Sequence, residues 1–258
     1  MQIEFQTNVG RKRKSNQDTV GVFENKLGIV IGIVADGMGG HQAGDTASQL
    51  AVTGLGTSWE KTALETQEEV ARWLISAIQK ENREIYAEGS SSPEKFGMGT
   101  TIVVAAILKD ELLLAHVGDS RGYIVRKPTI KQLTSDHWLV NELVKTGEIT
   151  TAMARRHPKK NVLLRSVGVP GEIEVDLSVT SVKEDDYVLL CSDGLSNMLD
   201  DEEIKEIILK DMSLEQKVTL LVDGANEAGG SDNITVLLIN FDENNKGGEI
   251  EWSILAQK

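Results

Sequence analysis

The chain has 258 residues, 40% of them apolar, with four prolines and 24 glycines. That suffices for a sizeable core in one large domain or two small ones, and it excludes a disordered or collagen-like chain. With 27 basic against 40 acidic residues, the net charge of −13 argues against nucleic acid and anionic membrane as partners, since phosphate-rich surfaces select the opposite sign.

Residues 3–7 (IEFQT), 19–24 (TVGVFE) and 28–35 (GIVIGIVA) read as strands: short, β-branched and bounded by Gly, Asp or Ser. The third ends on Asp36 and runs into GMGGH, where glycines imply a tight bend or a close approach. Thr66 and Glu69 form a capping-box pattern, followed at helical spacing by Val70, Trp73, Leu74, Ala77, Ile78 and Ile85. Residues 88–99 read as a surface loop. Strands follow at 101–108, 111–117 and 122–126, with Lys109 and Asp110 at the turn of a hairpin. A helix is expected over 136–145, capped by Thr134 or Ser135, then a loop at 158–162. Strands at 172–179 and 186–191 precede a helix over 201–209 capped by Asp200. A second capping box, Ser213 to Gln216, leads into Val218, Leu221, Val222 and Ala225, and a strand at 234–241 follows. Strands come in runs and helices in pairs, which predicts α+β architecture with antiparallel sheets covered by helices.

No repeat of fixed period, low-complexity tract or obvious linker divides the chain. The single Cys191 forbids an internal disulfide and fits a reducing compartment. No apolar run approaches the roughly 20 residues of a membrane helix. The first residues carry charge where a signal peptide would be apolar, so a cytoplasmic protein is expected.

Asp36, Asp119, Asp193 and Asp232 each lie one or two residues from a core-forming strand, beside Gly37, Ser120, Gly194 and Asn233. Aspartate commonly starts turns, but four on one plan is a pattern. If these strand ends meet, the charges cannot all stay ionised without a cation among them. Oxygen-only ligands suit Mg²⁺ or Mn²⁺, and the Cys and His spacings of zinc sites are absent. Gly37 is a candidate ligand through its carbonyl oxygen, since a residue without Cβ lets the chain fold tightly there. ADGMGGHQ is neither a Walker loop nor GxGxxG.

Seven ordered motifs carry a resemblance: RKSNQD (13–18), DGMGGH (36–41), GTT (99–101), VGDSR (117–121), LTSDH (133–137), SDGL (192–195) and SDNIT (231–235). Over residues 7–241 the chain resembles the metal-dependent protein phosphatases of type 2C, in their compact bacterial serine/threonine branch. The resemblance implies a four-layer αββα sandwich, two antiparallel β-sheets flanked by helix pairs, with a flap subdomain at about 145–170. All of 1–258 would then be a single catalytic domain.

It also implies roles. Asp36 bridges two Mn²⁺ or Mg²⁺ ions, Asp193 and Asp232 complete the first, and the Gly37 carbonyl serves the second. Asp119 holds a third, weaker ion, and Asp18 holds metal-bound waters. Arg13 grips the substrate phosphate and His41 is the general acid. Gln17 stands where many relatives carry Glu, which removes one negative charge near the second metal. The partners implied are phosphorylated Ser/Thr proteins and a cognate serine/threonine kinase, with no nucleic acid, no membrane and a monomeric state.

The chemistry agrees. Two cations about 3.5–4 Å apart share a water and lower its pKa towards neutrality, so that hydroxide can attack phosphorus in line. Arg13 offers a planar fork of donors to the phosphoryl oxygens. The leaving serine or threonine alkoxide needs a proton, and a histidine titrates in the working range. His116, among apolar residues, reads as a satisfied core histidine and His137, near a helix start, as structural. His157 lies in a basic stretch with Arg155, Arg156, Lys159 and Lys160, resembles part of the family's variable flap, and is a candidate substrate contact. Cys191 lacks the arginine spacing of a cysteine phosphatase and reads as buried filler. Two alternatives stand beside this reading: another metal-dependent phosphohydrolase, such as a nuclease, which would want a basic groove, and a catalytically impaired regulatory binding module, against which an intact Asp36, Asp193, Asp232 and Arg13 argue.

Overall fold

The structure is a computed structural model that describes residues 1–40, 43–154, 156–160 and 162–241. His41 and Arg155 lie outside the described residues.

The first sheet is built from β1 (Gln2–Asn8), β11 (Ile234–Asn240), β10 (Tyr187–Cys191), β7 (Arg121–Arg126) and β8 (Thr129–Gln132), in that order. The second runs β2 (Asp18–Glu24), β3 (Val30–Met38), β5 (Ile102–Leu108), β6 (Glu111–Val117) and β9 (Asp176–Ser181), with β4 (Gly99–Thr100) beside the end of β3. Every pairing is antiparallel. The sheets stack face to face through Val34, Val103, Leu112, Leu114, Val188, Leu190, Leu237 and Ile239. Gly32 of β3 is one floor of that seam: a Cβ there would come within 3.1 Å of Leu237 Cδ1 on β11.

Strands buried on both faces explain the unbroken apolar runs of the sequence. In β11, Leu237 and Ile239 face the seam while Val236 and Leu238 face a helix layer, the two-residue period of a strand serving two cores. That layer is α5 (Asp193–Ser196), α6 (Asp201–Ile208) and α7 (Leu214–Glu227). On the far side, α1 (Ala43–Trp59) and α2 (Gln67–Ser91) cover the second sheet. The result is the expected αββα sandwich.

Three of the four sequence-read caps form: Thr66 with Glu69, Asp200 with Glu203 and Ser213 with Gln216 are reciprocal capping boxes. Lys109 turns the β5–β6 hairpin with φ of 46°.

Beyond the short β8, α4 and α5, which the sequence reading did not include, four elements differ from the sequence expectation. No periodicity announced α1, whose buried face includes Ala43, Ala47, Ala51, Leu55 and Trp59, mostly too small to make an apolar stripe; Gly56 on it is small because Phe23 occupies the space, 2.2 Å from where a Cβ would lie. Helix α2 runs on to Ser91, into the expected loop. Strand β9 begins at Asp176, not at 172, because Ile173 instead bonds the Gln79 side chain through its N–H (3.2 Å). Finally, α3 (Leu139–Lys145) starts after Trp138, which has no side-chain cap bond. Of the two expected caps, Thr134 Oγ1 is occupied elsewhere, accepting from Gly122 N–H (3.1 Å), and Ser135 is held through its backbone, whose carbonyl meets His116 Nε2.

Between β8 and β9 the chain leaves the sandwich and forms α3 and α4 (Thr151–Ala154). An antiparallel bridge between Trp138 and Leu163 closes the neck of this excursion, and the stretch expected as a flap falls largely inside it. Among the described residues no helix is long and apolar enough to cross a membrane.

Candidate metal centre

The aspartates gather where the two sheets share an end. Asp18 opens β2 and Asp36 lies near the end of β3; the two are direct cross-strand partners. From the other sheet, Asp193 follows β10 and Asp232 precedes β11, while Asp119 sits in the turn carrying the chain from β6 in one sheet to β7 in the other.

The backbone around them is tightly held. Asp36 N–H donates to Thr101 Oγ1 (3.0 Å), and its carbonyl accepts from Thr101 N–H and Thr100 Oγ1 (both 2.9 Å). The GTT motif is thus the clamp on Asp36. Thr101 Oγ1 also meets Ser120 Oγ at 2.7 Å, tying the Asp119 turn to the same point. Asn233 fastens the loop that bears Arg13: its amide donates to Val9 and Ser15 carbonyls (3.0 and 2.9 Å) and its oxygen accepts from Gln17 N–H (2.9 Å). Gly37 is packed where a Cβ would fall 2.0 Å from Gly44 O and 2.6 Å from Gln17 O. Glycine is required there by close approach, as the sequence suggested.

The carboxylates are unbalanced. Asp18 Oδ2 accepts from Ser192 Oγ and Thr235 Oγ1, both at 2.7 Å, yet its Oδ1 is buried without a partner. Asp193 Oδ2 accepts from Asn197 Nδ2 (3.0 Å), and its Oδ1 is likewise orphaned. Burial, then the charge of Asp18, pushes Asp36 well above the ordinary carboxylate range. Burial, then the charges of Asp119 and Asp232, pushes Asp193 up to about 7. Asp18 rises to about 6 because burial outweighs its two hydroxyl donors. Asp119 is raised by burial too, opposed by a bond from Trp138. Among the described residues, Arg13 is ion-paired with the group: its Nη2 lies 2.7 Å from Asp232 Oδ2 on the half-exposed rim.

Orphaned buried oxygens on an all-carboxylate group fit a hard divalent cation, which would satisfy them and return the group to its ionised form. The expected residues Asp18, Asp36, Asp119, Asp193, Asp232 and Arg13 therefore come together. His157 does not join them in any hydrogen bond or ion pair among the described residues; its Nδ1 accepts from Lys159 N–H (3.1 Å) in a local turn. Cys191 is buried, which pushes its thiol up to about 12.

A second group lies at the neck. His116, His137 and Asp176 bring two imidazoles and a carboxylate within 4.8 Å of one another, a donor set that could hold a metal. The hydrogen bonds give it present work. His137 Nδ1 accepts from Gly118 N–H (3.0 Å), which assigns the ring proton to Nε2, 3.5 Å from Asp176 Oδ2. His116 stacks on His137 at 4.8 Å and meets the Ser135 carbonyl. His116 has a hydrogen-bond partner, as the sequence suggested, while His137 Nε2 is buried without one. Missed in the sequence were Trp138, whose indole donates to Asp119 Oδ2 (2.7 Å), and the hydroxyls of Ser192 and Thr235 on Asp18. SDGL and SDNIT carried those two hydroxyls near Asp193 and Asp232, although the carboxylate they serve is Asp18.

A carboxylate group at the joint end of two stacked antiparallel sheets, with a guanidinium on its rim, defines the class: a metal-dependent phosphohydrolase. The profile of the protein phosphatase 2C family matches residues 7–236, and the chain belongs to that family. It is 49% identical to the serine/threonine phosphatase stp of Listeria monocytogenes over 96% of this chain and 98% of that one. Its fold superposes on the Streptococcus agalactiae serine/threonine phosphatase with a TM-score of 0.90 at 45% identity, covering 93% of this chain and 99% of that one. The catalytic domain of the serine/threonine protein phosphatase PstP, solved with two manganese ions, is similar at 32% identity and a TM-score of 0.79, covering 92% of this chain and 96% of that domain.

Proposed function

We propose that the protein removes phosphate from phosphoserine and phosphothreonine in proteins, using Mn²⁺ or Mg²⁺. The observation that carries the reading is the pair of orphaned oxygens on Asp18 and Asp193 beside a strongly perturbed Asp36. Asp36, Asp193 and Asp232 would hold one ion, Asp36 and the Gly37 carbonyl a second, Asp119 a third, and Asp18 would order water. Bound there, the ions supply activated water and neutralise charge on the phosphoryl oxygens.

The chain's own groups do the rest. Arg13 sits on the rim with its guanidinium on Asp232. With that carboxylate holding a cation, Arg13 would be available to a phosphate, with fork geometry suited to two oxygens. Ser192 and Thr235 keep Asp18 Oδ2 occupied, so its free Oδ1 is the atom left for solvent or ligand. His41, which follows the Asp36 glycine turn in sequence, would protonate the leaving alkoxide. The excursion between β8 and β9 would be the flap of a single catalytic domain, with His157 meeting substrate there. A monomer acting in the cytoplasm against a serine/threonine kinase completes the reading. Phosphopeptide hydrolysis with Mn²⁺, Mg²⁺ and excess EDTA tests it: release of phosphate that persists after chelation and dialysis would overturn it.

A further inference from the structure

The loop between β1 and β2 is pinned along its whole length. Arg11 and Lys12 N–H both donate to the Gly230 carbonyl (2.8 and 3.1 Å). Gly10 N–H donates to Asn8 Oδ1 (2.9 Å) and Asn16 Nδ2 to Thr7 Oγ1 (2.7 Å). Asn233, next to Asp232, holds Val9, Ser15 and Gln17. On this fixed backbone stand Arg11, Lys12, Arg13 and Lys14, four consecutive cations, all exposed. Arg13 meets Asp232. Among the described residues no carboxylate pairs with Arg11, Lys12 or Lys14. Only 27 of the 258 residues are Lys or Arg and the net charge is −13, yet positive charge is concentrated on the rim of the metal centre. The basic stretch of the excursion is built differently: Arg156, Lys159 and Lys160 are held by bonds to near neighbours in their own turns, whereas the β1–β2 loop is bonded to the residues that flank a candidate ligand.

We propose that Arg11, Lys12 and Lys14 form a subsite for acidic side chains flanking the phosphorylated residue, so that the enzyme selects phosphoserine and phosphothreonine in Asp- and Glu-rich segments. The proposal rests on the phosphatase reading, with Arg13 on the phosphate. The Cα atoms of Lys12 and Lys14 then stand about 3.8 Å from that of Arg13, so their side chains serve the residues next to the phosphorylated one. An ammonium is a point charge on a flexible stem, suited to carboxylates at variable positions rather than to one fixed sequence. The net charge of the chain repels acidic segments at a distance, and a local field of opposite sign at the mouth of the site reverses that repulsion where the peptide must dock.

Three phosphoserine peptides, alike except for flanking Glu, Ala or Lys, test the subsite beside p-nitrophenyl phosphate, which has no flanks. They are hydrolysed with saturating Mn²⁺ by the parent and by a variant carrying Arg11→Gln, Lys12→Gln and Lys14→Gln, which keeps every backbone amide of the loop. In the parent, kcat/KM should be about 10-fold or more higher for the Glu peptide than for the Lys peptide, a few-fold for each exposed contact. The difference should lie in KM and shrink as salt is raised. In the variant the ratio should fall close to one, while kcat on p-nitrophenyl phosphate and on the Ala peptide stays near the parent's. Equal parental rates on the three peptides, or a Glu preference that survives in the variant, would overturn the subsite and leave the phosphatase reading standing. Hydrolysis of p-nitrophenyl phosphate but of no phosphopeptide would overturn both. A fall in kcat of the same size on every substrate would give the loop a structural role instead. If the triple variant folds poorly, Lys12→Gln decides: it should lower the Glu-to-Lys ratio by about two- to threefold at an unchanged melting temperature, and an unchanged ratio overturns the proposal.

Discussion

Asp186 and Asp18 are both buried carboxylates at the start of a strand or just before one, and they are treated in opposite ways. Asp186 takes Arg126 Nε and Nη2 on its two oxygens (2.8 and 2.6 Å) and Lys183 N–H as well (2.8 Å). Asp18 takes two hydroxyls on one oxygen and nothing on the other, with Asp36 directly across the strand pair. Where a buried charge serves the fold, the chain supplies the countercharge itself. Where it leaves oxygens bare and stacks like charges, the countercharge comes from outside.

The sharpest way to break this contrast is Asp36→Asn. Loss of a shared metal carboxylate should lower kcat/KM on phosphopeptides by about 10³-fold, the equivalent of several kcal/mol. In EDTA the same variant should melt no lower than the parent, because a like charge has been removed. A clearly lower melting temperature in EDTA would mean that Asp36 serves the fold instead.

His41→Ala should cost about 10² or more in kcat on phosphoserine peptides, the usual scale for a lost general acid. The loss on p-nitrophenyl phosphate, whose leaving group needs little protonation, should be much smaller. Equal losses on both substrates would give His41 a structural or metal-positioning role.

Asp186→Asn belongs to the other side of the comparison. It should lower stability by about 1–3 kcal/mol, the range for a hydrogen-bonded charge whose partner is half in water. Turnover per folded molecule should stay near the parent's. Denaturant unfolding beside peptide kinetics reads both quantities, and a large loss of kcat without loss of stability would erase the distinction.

The smallest effect is in pH. Asp18 and Asp193, at about 6 and about 7 when folded, titrate near 4 in an unfolded chain. Between those values the folded metal-free protein binds more protons, so this stability is present below about pH 4 and lost as pH rises through the folded values. In EDTA the melting temperature should therefore fall by a few degrees from about pH 5 to pH 8. Mn²⁺ should raise it more at pH 8 than at pH 5. A melting temperature that rises with pH in EDTA would contradict the perturbed carboxylates.

Much of this was legible in the sequence, for reasons that differ by element. Capping boxes are local, so Thr66, Asp200 and Ser213 announced their helices. The aspartates could be read because each sits at the end of an apolar run, and strand ends are where a sandwich exposes side chains. Helix α1 was hidden because its buried face is largely alanine and glycine, chosen for close packing against Phe23 and β3. Trp138 was hidden for a different reason. It looked like part of an amphipathic helix, and its bond to Asp119 and pairing with Leu163 span 19 and 25 residues, separations that no periodicity encodes.

The place of the aspartates across two sheets has a mechanical side. Apolar faces resist being pulled apart but give little resistance to sliding, because dispersion has no preferred direction. Asp36 and Asp18 ride on one sheet, Asp193 and Asp232 on the other, so any slip of the stack changes the span between ligands. The bonds from Ser192 and Thr235 across to Asp18 are one pin against that slip, and an ion shared by Asp36 and Asp193 would be a rivet beside it. The spacing being riveted is set further back, where Gly32 lets Leu237 settle against β3. A methyl group added there, far from any ligand, would act as a shim between the sheets and detune the centre.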